Sequence, residues 1–197
     1  MKYTLKELEA KTKQYKLIWF IHTLNYNDFQ NILNENLTNE KILRLAIGHN
    51  SPSYNPDLIN ISRHFHNYIS TYLSLTDHTR IIYRKLYEPY GFLPEYQGKV
   101  DMYFKNHKLS VFVKDLRQYI QHYKLPYLTS QIKRNSVFEG FSPHLLIEVE
   151  DLLEFSSWNK LSKEFINENP DGVDLLLVVK THYKHTKEFY DWFFNEI

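Results

Sequence analysis

"KDLRQYIQHYKLP", residues 114–126, decides how the middle of this chain folds. Leu116, Tyr119 and Ile120 recur at helical spacing. Pro126 cannot continue a helix, and it pushes Leu125 towards extended backbone. The spacing predicts a helix from about Leu109 to Tyr123, ending just after His122, with Val111 and Phe112 adding to its buried stripe. Arg117, Gln118, Gln121 and His122 crowd a turn and a half of that helix. At about 100° per residue, Arg117 and His122 lie about 140° apart, so they reach round the helix towards a groove from opposite sides. Gln118 and His122 are true neighbours at i and i+4, as are Arg117 and Gln121.

Working outward, "LPYLTSQIKR" (125–134) and "PHLLIEVE" (143–150) are rich in β-formers and flank the turn-like "NSVFEGF" (135–141). A small β-hairpin is therefore expected around 125–149. Upstream, a long helix is expected to start after Pro56 and reach about Tyr87, burying Leu58, Ile61, Phe65, Tyr68, Ile69, Tyr72, Leu73 and Leu75. "EPYGFLPEYQG" (88–98) breaks it, and a short helix follows across Lys99–Asn106. The N-terminal region divides into three expected helices. The first runs from Leu5 to His22 and offers Leu5, Leu8, Tyr15, Leu17, Ile18, Trp19 and Ile21 to a core. Asn27 caps the second, and Thr38 caps a third that stops at Gly48, before a loop over 49–56. Downstream, "WNKLSKEFINEN" (158–169) forms a short helix ended by Pro170, and a last helix spans about Val173–Asn195. Only five glycines occur in the chain. The expectation is a mainly α protein: one domain over 1–197, a helical bundle with a small inserted β-hairpin.

Composition excludes several function classes. Lys plus Arg (24) and Asp plus Glu (23) nearly cancel, giving a net charge of +1. Nucleic acid would have to be bound by a local patch, not by a bulk field. The chain has no cysteine, which removes disulfides, thiolate metal sites and cysteine nucleophiles. A charged N-terminus does not read as a signal peptide, and the apolar runs "LIWFI" (17–21) and "LLLVV" (175–179) are too short to span a bilayer. A cytoplasmic protein with no membrane partner is expected. Neither a glycine-rich phosphate loop nor a Gly-x-Ser-x-Gly elbow is present. His182 and His185, at i and i+3 with no third ligand nearby, read as a solvated histidine face. No metal and no cofactor is expected.

The polar turn of the central helix suits one chemistry. Arg117 supplies a fixed positive fork for phosphate oxygens. His122 falls in the last turn, where helix carbonyls favour an imidazolium, and an imidazole suits proton transfer. RNA carries its own nucleophile, the 2′-hydroxyl beside the scissile phosphate. A protein need only move protons and stabilise the charged phosphorane. Gln121, Lys124 and Tyr123 sit close enough in sequence to touch such a substrate, and Tyr123 and Tyr127 can stack bases. Lys133 and Arg134 add charge on the hairpin. On the long helix, Arg63, His64, His66 and Asn67, then Asp77, His78 and Arg80, form a polar face. His66 and Arg80 are its candidate RNA contacts. Spacing alone is weakly specific, because Arg44 and His49 repeat it across an apolar stretch.

Arg117, Gln118 and His122 resemble the signature of the HEPN superfamily (higher eukaryotes and prokaryotes nucleotide-binding domains). In it, a polar residue follows an arginine and a histidine comes four to six positions after that arginine. "FVKDLRQYIQHYKLP" (112–126) is similar to the form seen in uncharacterised bacterial members, although Gln118 stands where Asn or Asp is usual. "HNYISTYLSLTDHTR" (66–80) and the aromatic "VKTHYKHTKEFYDWF" (179–193) are similar in style to neighbouring helices of such proteins. The resemblance implies a helical bundle that forms a homodimer with its motif helices facing each other. It implies a metal-independent endoribonuclease acting on RNA in stress response or phage defence, toxin-like, with an antitoxin or defence-system partner. Arg117, His122 and Gln118 would be its catalytic residues. The alternative is a non-catalytic HEPN-like helical module for binding or dimerisation.

Overall fold

The computed structural model describes residues 5–38, 40–41, 55–135 and 140–196, and for 5–9, 11, 14, 134, 135, 140 and 141 the backbone only. Its longest well-capped element follows from two residues. The Asn55 side chain accepts the N–H groups of Asp57 (2.9 Å) and Leu58 (3.2 Å), and Pro56 has no N–H to satisfy at the first helical position. The helix they start, Pro56–Ile82, buries Leu58, Ile61, Phe65, Tyr68, Ile69, Tyr72 and Leu75. It loosens into a π-helical turn over Tyr83–Tyr87 and a 3-10 turn over Glu88–Tyr90. Gly91 ends the run at φ 69, a left-handed conformation that glycine takes without strain.

In chain order the elements are α1 (Leu5–Asn36), α2 (Pro56–Ile82), α3 (Tyr96–Val100) with a π-turn over Asp101–Lys105, α4 (Lys108–His122), β1 (Leu128–Asn135), β2 (Gly140–Ile147), α5 (Val149–Leu153), α6 (Lys160–Asn167), β3 (Val173–Asp174) and α7 (Leu175–Glu196). The protein is mainly helical, with the expected hairpin as β1–β2. Leu128 pairs with Ile147 and Asn135 with Gly140. The turn at 136–139 lies outside the described residues. Among the described residues, no helix is long and apolar enough to cross a membrane.

Four differences from the sequence reading have physical causes. First, α1 is one helix, and Asn27 lies inside it instead of capping a second. No Gly or Pro interrupts residues 5–36, and Phe29 and Leu33 are held in the core, which outweighs the weak helix propensity of asparagine. Thr38 does accept the Lys41 N–H (3.3 Å), as its capping role requires. The third helix to Gly48, the loop before residue 55 and the Arg44–His49 pair lie outside the described residues. Second, Val173 and Asp174 form a strand instead of the start of the last helix, pairing with Ile147 and Leu146. Gly172 makes this possible. Its φ is +116, and a Cβ there would stand 3.0 Å from the Leu146 Cβ. Third, the strand expected to run through Glu148 stops at Ile147. Val149–Leu153 is helical, with Glu150 and Asp151 at its positive end.

The fourth difference is His182, which is fully buried and not part of a solvated face. Its Nδ1 lies 2.6 Å from the Tyr68 hydroxyl, joining α7 to α2. His22 on α1 is equally buried and meets the Thr71 hydroxyl at 3.2 Å. Rings close around them: Tyr26 stacks on Tyr183 at 3.7 Å, and His182 meets Tyr72 edge-on at 4.3 Å. The partner expected to share the solvated face, His185, packs edge-on against His107 at 4.3 Å. A second apolar cluster of Leu75, Leu93, Tyr96, Phe189, Tyr190 and Phe193 lies beside the main core, and Phe104 packs against both.

Burial holds His22 down to about pH 3 and His182 well below its ordinary range. Both rings are therefore neutral in the folded chain, whereas in the unfolded chain they take protons near pH 6.5. Stability is complete above pH 6.5 and falls below it, by about 1.4 kcal/mol per pH unit for each ring. Urea unfolding between pH 7.5 and pH 5 is expected to show that loss, and His22→Leu to reduce its slope by about half.

The polar face of the central helix

α4 is held by three different means, and what is left over defines the candidate site. Its apolar face, Phe112, Leu116 and Tyr119, is fully buried, and Tyr119 stacks on Trp158 with centroids 5.6 Å apart. One flank is tied by Asp115. Its carboxylate accepts the Ser162 hydroxyl (2.7 Å) and the Asn159 N–H (2.9 Å), which anchors the start of α6. The C-terminal end is tied by Asp151 of α5. Its carboxylate accepts the Tyr119 hydroxyl (2.8 Å) and the Tyr127 N–H (2.9 Å) and pairs with the Lys124 ammonium. Burial raises the Asp151 carboxyl, but Lys124, Tyr127 and Tyr119 more than offset this and hold it below its ordinary range. The helix stops at His122, with the Tyr123 N–H returning to the Tyr119 carbonyl (2.9 Å). Pro126 follows, as the sequence required.

The remaining face carries Lys114, Gln118, Gln121 and His122, all exposed, within an arc of about 100°. Arg117 lies at the edge of this arc nearest Gln121 and is half-buried, with its Nε sealed from solvent. None of these five side chains has a hydrogen-bond or ion-pair partner among the described residues. Arg117 and His122 are thus held at opposite edges of one unpaired polar surface, and a single chain does not bring them together.

The other candidate contacts divide. Lys124 is committed to Asp151 and Glu154 (2.6 Å), and these partners raise its pKa. The Tyr123 hydroxyl donates to Glu154 (3.3 Å), while its ring stays exposed. Arg80 pairs with Asp77 (3.0 Å) in solvent. His66 is half-buried and lines a groove of about 770 Å³ between α2 and the end of α4, with Arg63, Ile59, Ile120, Leu125 and Tyr127. Arg80 lines a different cleft of about 450 Å³, between the end of α2, α3 and α4. The two residues are 14 positions apart on one helix, or about 21 Å, so no single nucleotide touches both. Lys133 is exposed on the hairpin, and the Arg134 side chain lies outside the described residues.

The sequence reading missed two cations of the second cleft. Arg84 and Lys114 both line it and, among the described residues, neither has an ion-pair partner. Tyr96 beside them is pushed up to about 12 by burial and the neighbouring Tyr83, against the pull of Arg80 and Arg84. Lys114 was legible as the first residue of the motif stretch. Arg84 carried no signal, because a turn of π-helix places it. Among the described residues, no three His, Asp or Glu side chains gather as a metal ion would require.

No family model, curated protein or solved structure matches this chain. The likeness to HEPN proteins therefore rests on the residues of the sequence motif alone.

Asp151 is the polar hub behind the site. Asp151→Ala leaves the Tyr119 hydroxyl and Tyr127 N–H without their acceptor. Urea unfolding is expected to show a loss of about 2 kcal/mol.

Proposed function

We propose that this chain is a metal-independent endoribonuclease of HEPN type, working as a homodimer. One observation carries the reading: the motif helix presents Arg117, Gln118, Gln121 and His122 with no partner among the described residues, while other cations nearby, Lys124 and Arg80, are paired. Polar groups kept unpaired on a firmly clamped helix are available to a ligand. A second α4 laid on this face would supply a second Arg117 and His122 to one shared cleft.

In that cleft the 2′-hydroxyl attacks the adjacent phosphorus and the bond to the 5′-oxygen breaks. His122 moves the proton, Arg117 holds the charged phosphate oxygens, and Gln118 orients the imidazole or the 2′-hydroxyl. The products are a 2′,3′-cyclic phosphate and a 5′-hydroxyl. Gln121 and the Tyr123 ring flank the cleft, and a strand reaching His66 or Arg80 has to be several nucleotides long. The same reading gives the protein a toxin-like role in stress response or phage defence, regulated by an antitoxin or a defence-system partner.

The test is cleavage of single-stranded RNA by the purified chain in EDTA. His122→Ala is expected to cost at least about 100-fold in rate with an unchanged melting temperature, because the side chain is exposed and unpaired. Arg117→Lys, which keeps the charge and loses the fork, is expected to be impaired as well. Equal RNA decay in wild type and His122→Ala removes the assignment.

The about 140° between Arg117 and His122 favours a second reading, in which this face is a non-catalytic docking surface of the same fold. Gel filtration of Arg117→Ala and His122→Ala separates the two. Loss of cleavage with the oligomer intact supports the nuclease; loss of the oligomer without any cleavage in wild type supports the docking surface.

A further inference from the structure

α1 uses only one of its two apolar stripes. The sequence offered Leu17 and Ile21 to the core, but the core takes the opposite side, through His22, Phe29 and Leu33. Leu17, Phe20, Ile21 and Leu24 are left 57%, 61%, 42% and 60% exposed. Their spacing is i, i+3, i+4, i+7, so they form one continuous strip over two turns of helix. Four neighbouring large apolar side chains form one contiguous patch and not scattered surface residues, and contiguous apolar surface of this kind is what interaction sites are built from.

The ends of the strip say what covers it. Lys13, four residues before Leu17, and Asp28, four residues after Leu24, lie on the same face. Both are exposed, and neither has a partner among the described residues. One end of the strip is therefore positive and the other negative, with apolar residues symmetric between them. Turned about a two-fold axis between Phe20 and Ile21, the strip is complementary to itself. Leu17 falls opposite Leu24 of a second copy, and Lys13 falls opposite its Asp28, twice over. Isologous contacts have this property: residue i meets j while j meets i.

We infer that α1 mediates antiparallel self-association of this chain, with Leu17, Phe20, Ile21 and Leu24 at its centre and Lys13–Asp28 ion pairs at both ends. The surface belongs to α1, which packs on α2 and α7, and does not depend on the nuclease reading of α4. If both surfaces pair, the chain assembles through two different two-fold contacts.

Analytical ultracentrifugation of the full chain over a range of concentrations tests this. The protomer is 23.9 kDa, and the wild type is expected at twice that mass or a multiple of it. Phe20→Glu is expected to halve the particle mass while circular dichroism and melting temperature stay unchanged. Asp28→Lys sets lysine against lysine and is expected to weaken association about tenfold. Adding Lys13→Glu to it restores opposite charges and is expected to recover the wild-type association. Three results overturn the inference: a wild type at 23.9 kDa at every concentration reached, a particle mass indifferent to Phe20→Glu, or Asp28→Lys without effect, as a parallel pairing would give. A failure here leaves RNA cleavage by the α4 face to be judged separately, because Phe20 is not part of that face.

Discussion

Two imidazoles that carry no charge hold the helices of this protein in register. His182 reaches from α7 to the Tyr68 hydroxyl of α2, and His22 reaches from α1 to Thr71 one turn further along. Apolar helix faces alone can slide or rotate past one another at little cost. A buried polar atom left without a partner costs about 1–3 kcal/mol. A register that brings the Nδ1 of each ring to a hydroxyl is therefore favoured, even though the Nε2 of each ring is buried with no partner among the described residues. The pair therefore selects which side of α1 turns inward and how far α7 lies along α2. The rings stacked around them, Tyr26 on Tyr183 and Trp19 on Tyr190, then fill the space that this register leaves.

That choice has consequences at both surfaces of interest. With His22 facing Thr71, the stripe that begins at Leu17 is turned outward. α2 takes α1 through its Tyr68 and Thr71 region, and α4 packs against the same helix. The orientation of α4 is then completed by carboxylates at two points, Asp115 towards α6 and Asp151 towards the start of the hairpin. Both carboxylates come from local sequence that looks unremarkable. Each satisfies a backbone N–H as well as a hydroxyl, which ties loops as well as helices to the motif segment.

Among the described residues, several of the chain's cations are engaged by anions and several are not. Lys108 is held by Glu164 and Glu168, Lys124 by Asp151 and Glu154, and Lys187 by Asp191. Lys114, Arg117 and Arg84 have no such anions among the described residues. With a net charge of +1, the chain has no field to spare for binding a polyanion at random. Lysines without an ion-pair partner among the described residues also occur elsewhere, Lys13, Lys133 and Lys180 among them, so what sets Lys114, Arg117 and Arg84 apart is their place along the motif helix and the cleft beside it.

Local rules were enough to read much of this from residues alone. Pro56 marked the start of α2, Pro126 the end of α4, and the β-formers expected to pair around 125–149 make a hairpin, because proline rings and side-chain alternation act within a few residues of themselves; the Asn55 cap was seen only in the structure. The polar turn of Arg117–His122 was legible for the same reason. Tertiary structure decided what depends on partners far along the chain. It set β3, a two-residue strand with no periodicity of its own, by its pairing to β2. It merged two expected helices into α1 by packing Phe29 and Leu33. It buried His182, which spacing placed in solvent, by supplying Tyr68 from 114 residues away. It also chose which apolar stripe of α1 stays outside. Helical periodicity reveals that a face is apolar, but only the neighbours across the core determine which apolar face is covered.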